Sequence, residues 1–278
     1  MTNPVHDTKS PSGSESSSDR QRIVRYSFYY IIAALTIYYF IMASIVPVRY
    51  VRSLNQQFMP DTSDQKGKVD GLQTDSLFLS MMRQLALTRA RMMMAATDSI
   101  GLTVNLPDSV ATLEINGVTV RKVRIIDFRI AGSLEGVRED VWPVLLSEPF
   151  TIESDLSSIQ KEPLMVKIAP RDTAEASAMP NIVPDTSGVE PVFYCLRLSH
   201  GIRLTVLQEV DKGSPDAVSR NRFLYRRSLR DFYAAVKDVA RFRFPFYQPE
   251  IRIVVPKDDA RIIYRALPQK GNVVLYVR

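Results

Sequence analysis

Tyr26 to Val48 constrains this chain more than any other stretch: twenty-three residues with no charge among them, closed by Arg25 and Arg49. As a helix rising about 1.5 Å per residue it reaches about 34 Å, enough to cross a hydrocarbon core of roughly 30 Å. Tyr26, Phe28, Tyr29 and Tyr30 at one end, with Tyr50 beyond the other, are amphipathic rings of the kind that favour headgroup level. The expectation is one transmembrane helix over 26–48. Tyr38, Tyr39 and Phe40 in its middle are less usual, because a tyrosine hydroxyl in hydrocarbon needs a partner, and they point to a helix that packs against protein.

The flanks set the expected topology. Residues 1–25 open with a Ser-rich stretch lacking any apolar period and read as a disordered cytoplasmic tail. Lys9, Arg20, Arg22 and Arg25 precede the span and Arg49, Arg52, Lys66 and Lys68 follow it, so the count is level. The denser cluster beside the span lies on the N-terminal side, which favours an inner-membrane protein with its C-terminal domain extracytoplasmic. The apolar run exceeds the 7–15 residues of a signal h-region, so an uncleaved anchor is expected. A net charge of +6 attracts acidic polymers, anionic lipid or nucleic acid alike. In the expected compartment nucleic acid is not a partner. Cys195 is the only cysteine, which excludes an internal disulfide and a multi-cysteine zinc site.

Beyond the span, 49–73 is polar, carries Met59-Pro60 as a helix breaker, and reads as a tether. From 74 the chain should form one α+β domain, so the expected fold is a membrane-anchored α+β protein whose extramembrane part, 74–278, is mostly β with two or three helices. Leu77, Phe78, Met81, Met82, Leu85, Met92 and Ala96 recur at helical spacing. Met92 to Met94 suggest soft-metal ligation, but adjacent helical residues diverge and core packing explains them better. Alternation then takes over at Leu102, Val104 and Leu106. Asn116-Gly117 sets a hairpin between Leu113, Ile115 and the return strand Val118, Val120, Val123 and Ile125. Residues 128–160 read as turns with one short helix, 163–168 as a strand and 169–191 as an exposed loop. Strands over 192–198 and 202–210 meet at Ser199-His200-Gly201. A Cys195–His200 dyad is the catalytic alternative there, although a core thiol and a turn histidine fit the alternation better.

A basic helical pattern runs from Pro215 to about Arg243. Val218, Leu224, Leu229, Phe232, Val236 and Val239 form the stripe expected to be buried, while Arg226, Arg227, Arg230 and Arg241 are among the cations available to an acidic partner. A solvated face is the plainer explanation of those charges.

Near the end, Glu250-Ile251-Arg252-Ile253, Lys257-Asp258-Asp259-Ala260, Ile263-Tyr264, Leu267-Pro268, Gly271 and Val273-Val274 resemble, over about thirty residues, the closing segment of L,D-transpeptidase catalytic domains. The resemblance implies a cell-wall setting, with Arg252 matching the family's arginine. Glu250 occupies the position of the nucleophilic cysteine, so it implies a degenerate relative without the thiolate chemistry. No catalytic residue is carried over, and no cofactor or metal motif is present. The functional expectation is a non-catalytic envelope protein in the periplasm, binding peptidoglycan or an envelope protein through Arg226, Arg227, Arg230, Arg241 and Arg252. A cell-wall enzyme using Cys195 or Glu250, or a structural subunit of a membrane complex, are the alternatives.

Overall fold

The computed structural model describes residues 15–59, 76–161, 190–241 and 243–277, with the side chains of 15–24, 31, 32, 35 and 76 excepted. Its helices are α1 (Glu15–Gln57), α2 (Ser76–Ala95), α3 (Val141–Leu145), α4 (Pro215–Ala240) and α5 (Lys257–Ala266). The strands are β1 (Gly101–Asn105), β2 (Val110–Ile115), β3 (Val118–Arg124), β4 (Asp127–Ile130), β5 (Phe150–Ser157), β6 (Phe193–Leu198), β7 (Arg203–Gln208), β8 (Glu250–Val255) and β9 (Asn272–Tyr276). They form one mixed sheet in the order β3-β2-β1-β9-β5-β6-β7-β8-β4. The β1–β9 and β7–β8 pairs are parallel and the rest antiparallel.

The membrane-anchored expectation is overturned: among the described residues no helix is long and apolar enough to cross a membrane. Residues 26–48 belong instead to α1, a helix of 43 residues that starts within the expected tail. Tyr26, Tyr29, Tyr30, Tyr38 and Tyr39 dilute its apolar character, while Ile31, Ile32 and Leu35 lie outside the described side chains. Its second half is committed to protein. The Tyr39 ring meets Phe232 edge-on at 5.6 Å, Val46 is buried, and Leu54 joins the main core. The Tyr50 hydroxyl donates to the His200 carbonyl at 2.7 Å, and Asn55 Oδ1 accepts from the Arg138 N–H at 3.1 Å. Residues 49–57, expected to be tether, are therefore helix and part of the fold. The helix ends before Met59-Pro60, where the proline removes the donor that would continue it.

Alternation along the strands separates the two faces of the sheet. On β6, Tyr194, Leu196 and Leu198 enter the main core with Leu204 and Val206 of β7, Ile251, Ile253 and Val255 of β8, and Ala260, Ile263 and Tyr264 of α5. On the other face, β9 presents Val274 to Ala90 and Met94 of α2, and β6 presents Phe193 to Phe223 of α4. Met94 is thus packed while Met92 and Met93 are exposed, so the three methionines diverge. The fold is a mixed α+β architecture and not a mostly β domain on an anchor.

The Asn116-Gly117 hairpin is present, with φ of 50° and 78° at its two turn residues. Its return strand β3 stands at the sheet edge, so Val118 and Val120 are exposed and only Val123 is buried. The segment expected to be turns contains two strands, β4 and β5, besides α3. Residues 1–14, the strand expected over 163–168, and the loop expected over 169–191 up to residue 189 lie outside the described residues.

Candidate functional site

The helix α4 connects the parallel strands β7 and β8 and lies across the face of the sheet that carries Cys195, Thr205 and Glu250. Ser214 caps it by accepting from the Ala217 N–H at 3.3 Å, Pro215 sits at its first position, and Asp216 lies in the positive first turn. The stripe expected to be buried is largely exposed. Only Val239 is buried; Leu224 is half-buried, and Val218, Leu229, Phe232 and Val236 face solvent along with Tyr225 and Tyr233.

What α4 turns inward is an arginine. Arg227 Nη1 donates to Thr205 Oγ1 and to Glu250 Oε1, each at 2.9 Å, and its Nη2 donates to Glu250 Oε2 at 3.0 Å. This is a bidentate, charge-assisted pair. Arg252 reaches the same carboxylate at 3.3 Å from two positions along β8, where alternation puts both side chains on one face. Burial alone would raise the Glu250 carboxyl, but hydrogen bonds from Thr205 and Arg227 and the charges of Arg227 and Arg252 outweigh it and hold the group below the usual range. Burial likewise opposes the charged form of Arg227, and Glu250 reverses that effect.

A second layer lies beside the first. Arg203 Nη1 donates to Asp231 Oδ2 at 2.6 Å, and its Nε donates to Gln248 Oε1 at 3.2 Å. Cys195 stands opposite Thr205 in the β6–β7 register, and burial pushes its thiol up despite Arg203, a hydrogen bond with Thr205, and Arg227. His200 is elsewhere: it turns the chain between β6 and β7 at φ 60°, its ring edge-on to Phe58 at 5.0 Å and Phe150 at 5.9 Å. None of the groups acting on the thiol is this imidazole. No thiolate–imidazole pair is assembled, and the Glu250 oxygens are occupied by arginine.

Two of the clefts that border these residues adjoin each other. One, of about 480 Å³, runs between α1 and α4, walled by Tyr39, Phe232 and Phe246 and floored by Arg203 and Gln248. The other, of about 130 Å³, lies beneath α4 beside Cys195 and shares Arg197, Arg203, Asp231 and Gln248 with the first. No family model, no curated protein and no solved structure matches the chain. Among the described residues no group of three or more His, Cys, Asp or Glu is placed to hold a metal ion.

The five cations singled out in the sequence divide in two. Arg227 and Arg252 converge on Glu250, whereas Arg226, Arg230 and Arg241 are exposed along α4 and at its C-terminal cap. Sequence reasoning passed over Thr205, Arg203, Asp231 and Gln248. A signal existed for two of them. Arg203 and Thr205 alternate with Leu204 and Val206 over the first four residues of β7, and such alternation on a strand followed by a long helix is the pattern of a polar layer beneath that helix.

Proposed function

We propose that this protein is a non-catalytic binding protein of the cell envelope that joins a protein partner through the aromatic, arginine-flanked face of α4 and α1. The observation that carries the reading is the outward stripe of α4, where Tyr225 is 65% and Tyr233 73% exposed beside Leu229, Phe232 and Val236. At about 100° per residue these side chains share one side of the helix, with Arg226, Arg230 and Lys237 next to them. The stripe continues onto α1 through the Tyr39–Phe232 contact, and α1 adds exposed Tyr26, Phe28, Tyr29, Tyr30 and Phe40. A large exposed apolar patch with polar borders is the mark of an interaction surface. Tyrosine, phenylalanine and arginine are also the residues enriched at protein interfaces.

The envelope setting rests on the resemblance of 250–274 to L,D-transpeptidase domains. Glu250, at the position of that family's cysteine, is engaged by two arginines, and the Cys195 thiol is held in its protonated form, so neither is set up as a nucleophile. A photo-crosslinking residue placed at Tyr225 or Tyr233 in living cells should give a discrete protein adduct that the Leu229→Ser, Phe232→Ser double variant loses. The proposal fails if there is no adduct, or if the same one appears from Lys122 on β3. Full function in Cys195→Ser and Glu250→Gln variants is expected, and its loss would favour the wall-enzyme alternative.

Peptidoglycan is the second reading, favoured by the exposure of Arg226, Arg230 and Arg241 to any acidic polymer. Retention of the protein on purified sacculi, abolished by Arg226→Glu with Arg230→Glu, would put the wall in place of the protein partner.

A further inference from the structure

Buried hydrogen-bonding groups without partners are rare enough that each calls for a cause. Two occur together here. Arg227 Nε and Gln248 Nε2 are both buried donors with no acceptor, and both residues line the cleft of about 130 Å³ beneath α4. Arg227 is not a loose surface side chain: it is only 10% exposed and is held by its bonds to Thr205 and Glu250. Gln248 is oriented as well, because its Oε1 accepts from Arg203, which leaves the amide Nε2–H as the group to be satisfied.

The charges around the cleft point the same way. Arg197, Arg203, Arg227 and Arg230 line it against Asp155 and Asp231. Glu250 answers Arg227, Asp231 answers Arg203, and the Asp155 carboxylate accepts from the Tyr264 hydroxyl at 2.9 Å. The lining alone sets four arginines against two carboxylates, and adding Glu250 with its second arginine, Arg252, keeps the excess at two positive charges. Cys195, on the cleft wall, is kept protonated by burial and adds no negative charge. The space exceeds the roughly 30 Å³ share of one water, which leaves room for a carboxylate or a phosphate.

We infer that this cleft is an oxyanion-binding site, in which Arg227 Nε–H and the Gln248 amide donate to a carboxylate or phosphate group drawn in by Arg197 and Arg230. The site lies beneath α4 and meets its outward face at Arg230, but its two unpartnered donors, on Arg227 and Gln248, are not part of that face, and the assignment does not rest on the partner proposed for it. Its ligand is the acidic group of a small molecule or of a chain end that can reach beneath the helix.

Calorimetric titration of the full chain with sodium phosphate, and separately with sodium acetate, against sodium chloride at matched ionic strength tests the assignment. Saturable binding of phosphate identifies a phosphoryl ligand, and saturable binding of acetate a carboxylate one. Gln248→Glu keeps the acceptor used by Arg203 and replaces the free donor with a negative charge, so binding should weaken by about tenfold or more. Should Gln248→Glu lower the melting temperature of the unliganded protein, Arg230→Gln, a change at an exposed residue, decides in its place and should also weaken binding. No saturable binding of either anion beyond the chloride control, or undiminished binding in the deciding variant, overturns the assignment.

Discussion

Glu250 shows how a single residue changes meaning with its surroundings. In the sequence it marks a lost nucleophile, whereas in the fold it is the acceptor that lets α4 place Arg227 against a sheet. Replacing one member of such a pair leaves the other charge stranded. Glu250→Gln should therefore cost about 2 kcal/mol at neutral pH, read from urea denaturation midpoints. The pH dependence has a definite sign. Because the folded protein holds this carboxyl below its ordinary value, its contribution is present above the unfolded value of about 4.3 and is lost as pH falls through the lower folded one. The gap between wild type and Glu250→Gln should close in that acid window, and a gap that stayed constant would mean that the charge is not what stabilises the pair. That Glu250 and Arg252 share a face was legible from their spacing of two. That Glu250 also meets Arg227 was not, because the partner arrives from a helix more than twenty residues away and no local pattern encodes which side of that helix faces in.

At the level of the elements, the sequence was most informative where backbone geometry alone decides. Asn116-Gly117 identified its hairpin because the turn demands positive φ at both positions, and Met59-Pro60 lies just past the end of α1, although Pro47 is accommodated within that helix. It misled where packing decides. The apolar stripe of α4 has the spacing of a buried face, yet the helix turns Arg227 to the sheet and leaves Phe232 and Val236 outside. The strand β5 was missed because Glu153, Ser154 and Asp155 break its apolar alternation, and β4 because four residues at a sheet edge carry almost none. With so little of α4 buried, its local signals matter more than usual. Ser214→Ala should destabilise the protein by about 1 kcal/mol through loss of the cap, measured by chemical denaturation. An unchanged midpoint would mean that tertiary contacts alone hold the helix start.

For the whole molecule the main correction concerns α1. Length and lack of charge suggested an anchor, because those are the only properties a sequence window reports; Leu54 in the core and Tyr50 bonded to His200 make its C-terminal end part of the folded body. Backbone amides of Val46–Gln57 should accordingly exchange with deuterium as slowly as those of β6 and β7, and much more slowly than those of 26–37. Fast exchange throughout α1 would show that its docking is marginal.

The strand order carries a consequence for how the molecule is made. β9, which follows the other described strands in sequence, is not at an edge: it lies between β1 and β5 and joins β3-β2-β1 to β5-β6-β7-β8-β4. Until residues 272–276 leave the ribosome, those two groups of strands have no hydrogen bonds to each other, and each presents an open edge at the seam. Such edges are templates for pairing with other chains, and closure through partners far apart in sequence is slow. The two groups of strands can therefore be joined into one sheet only once β9 is available to both, so the seam between them is the last pairing that this order of strands allows.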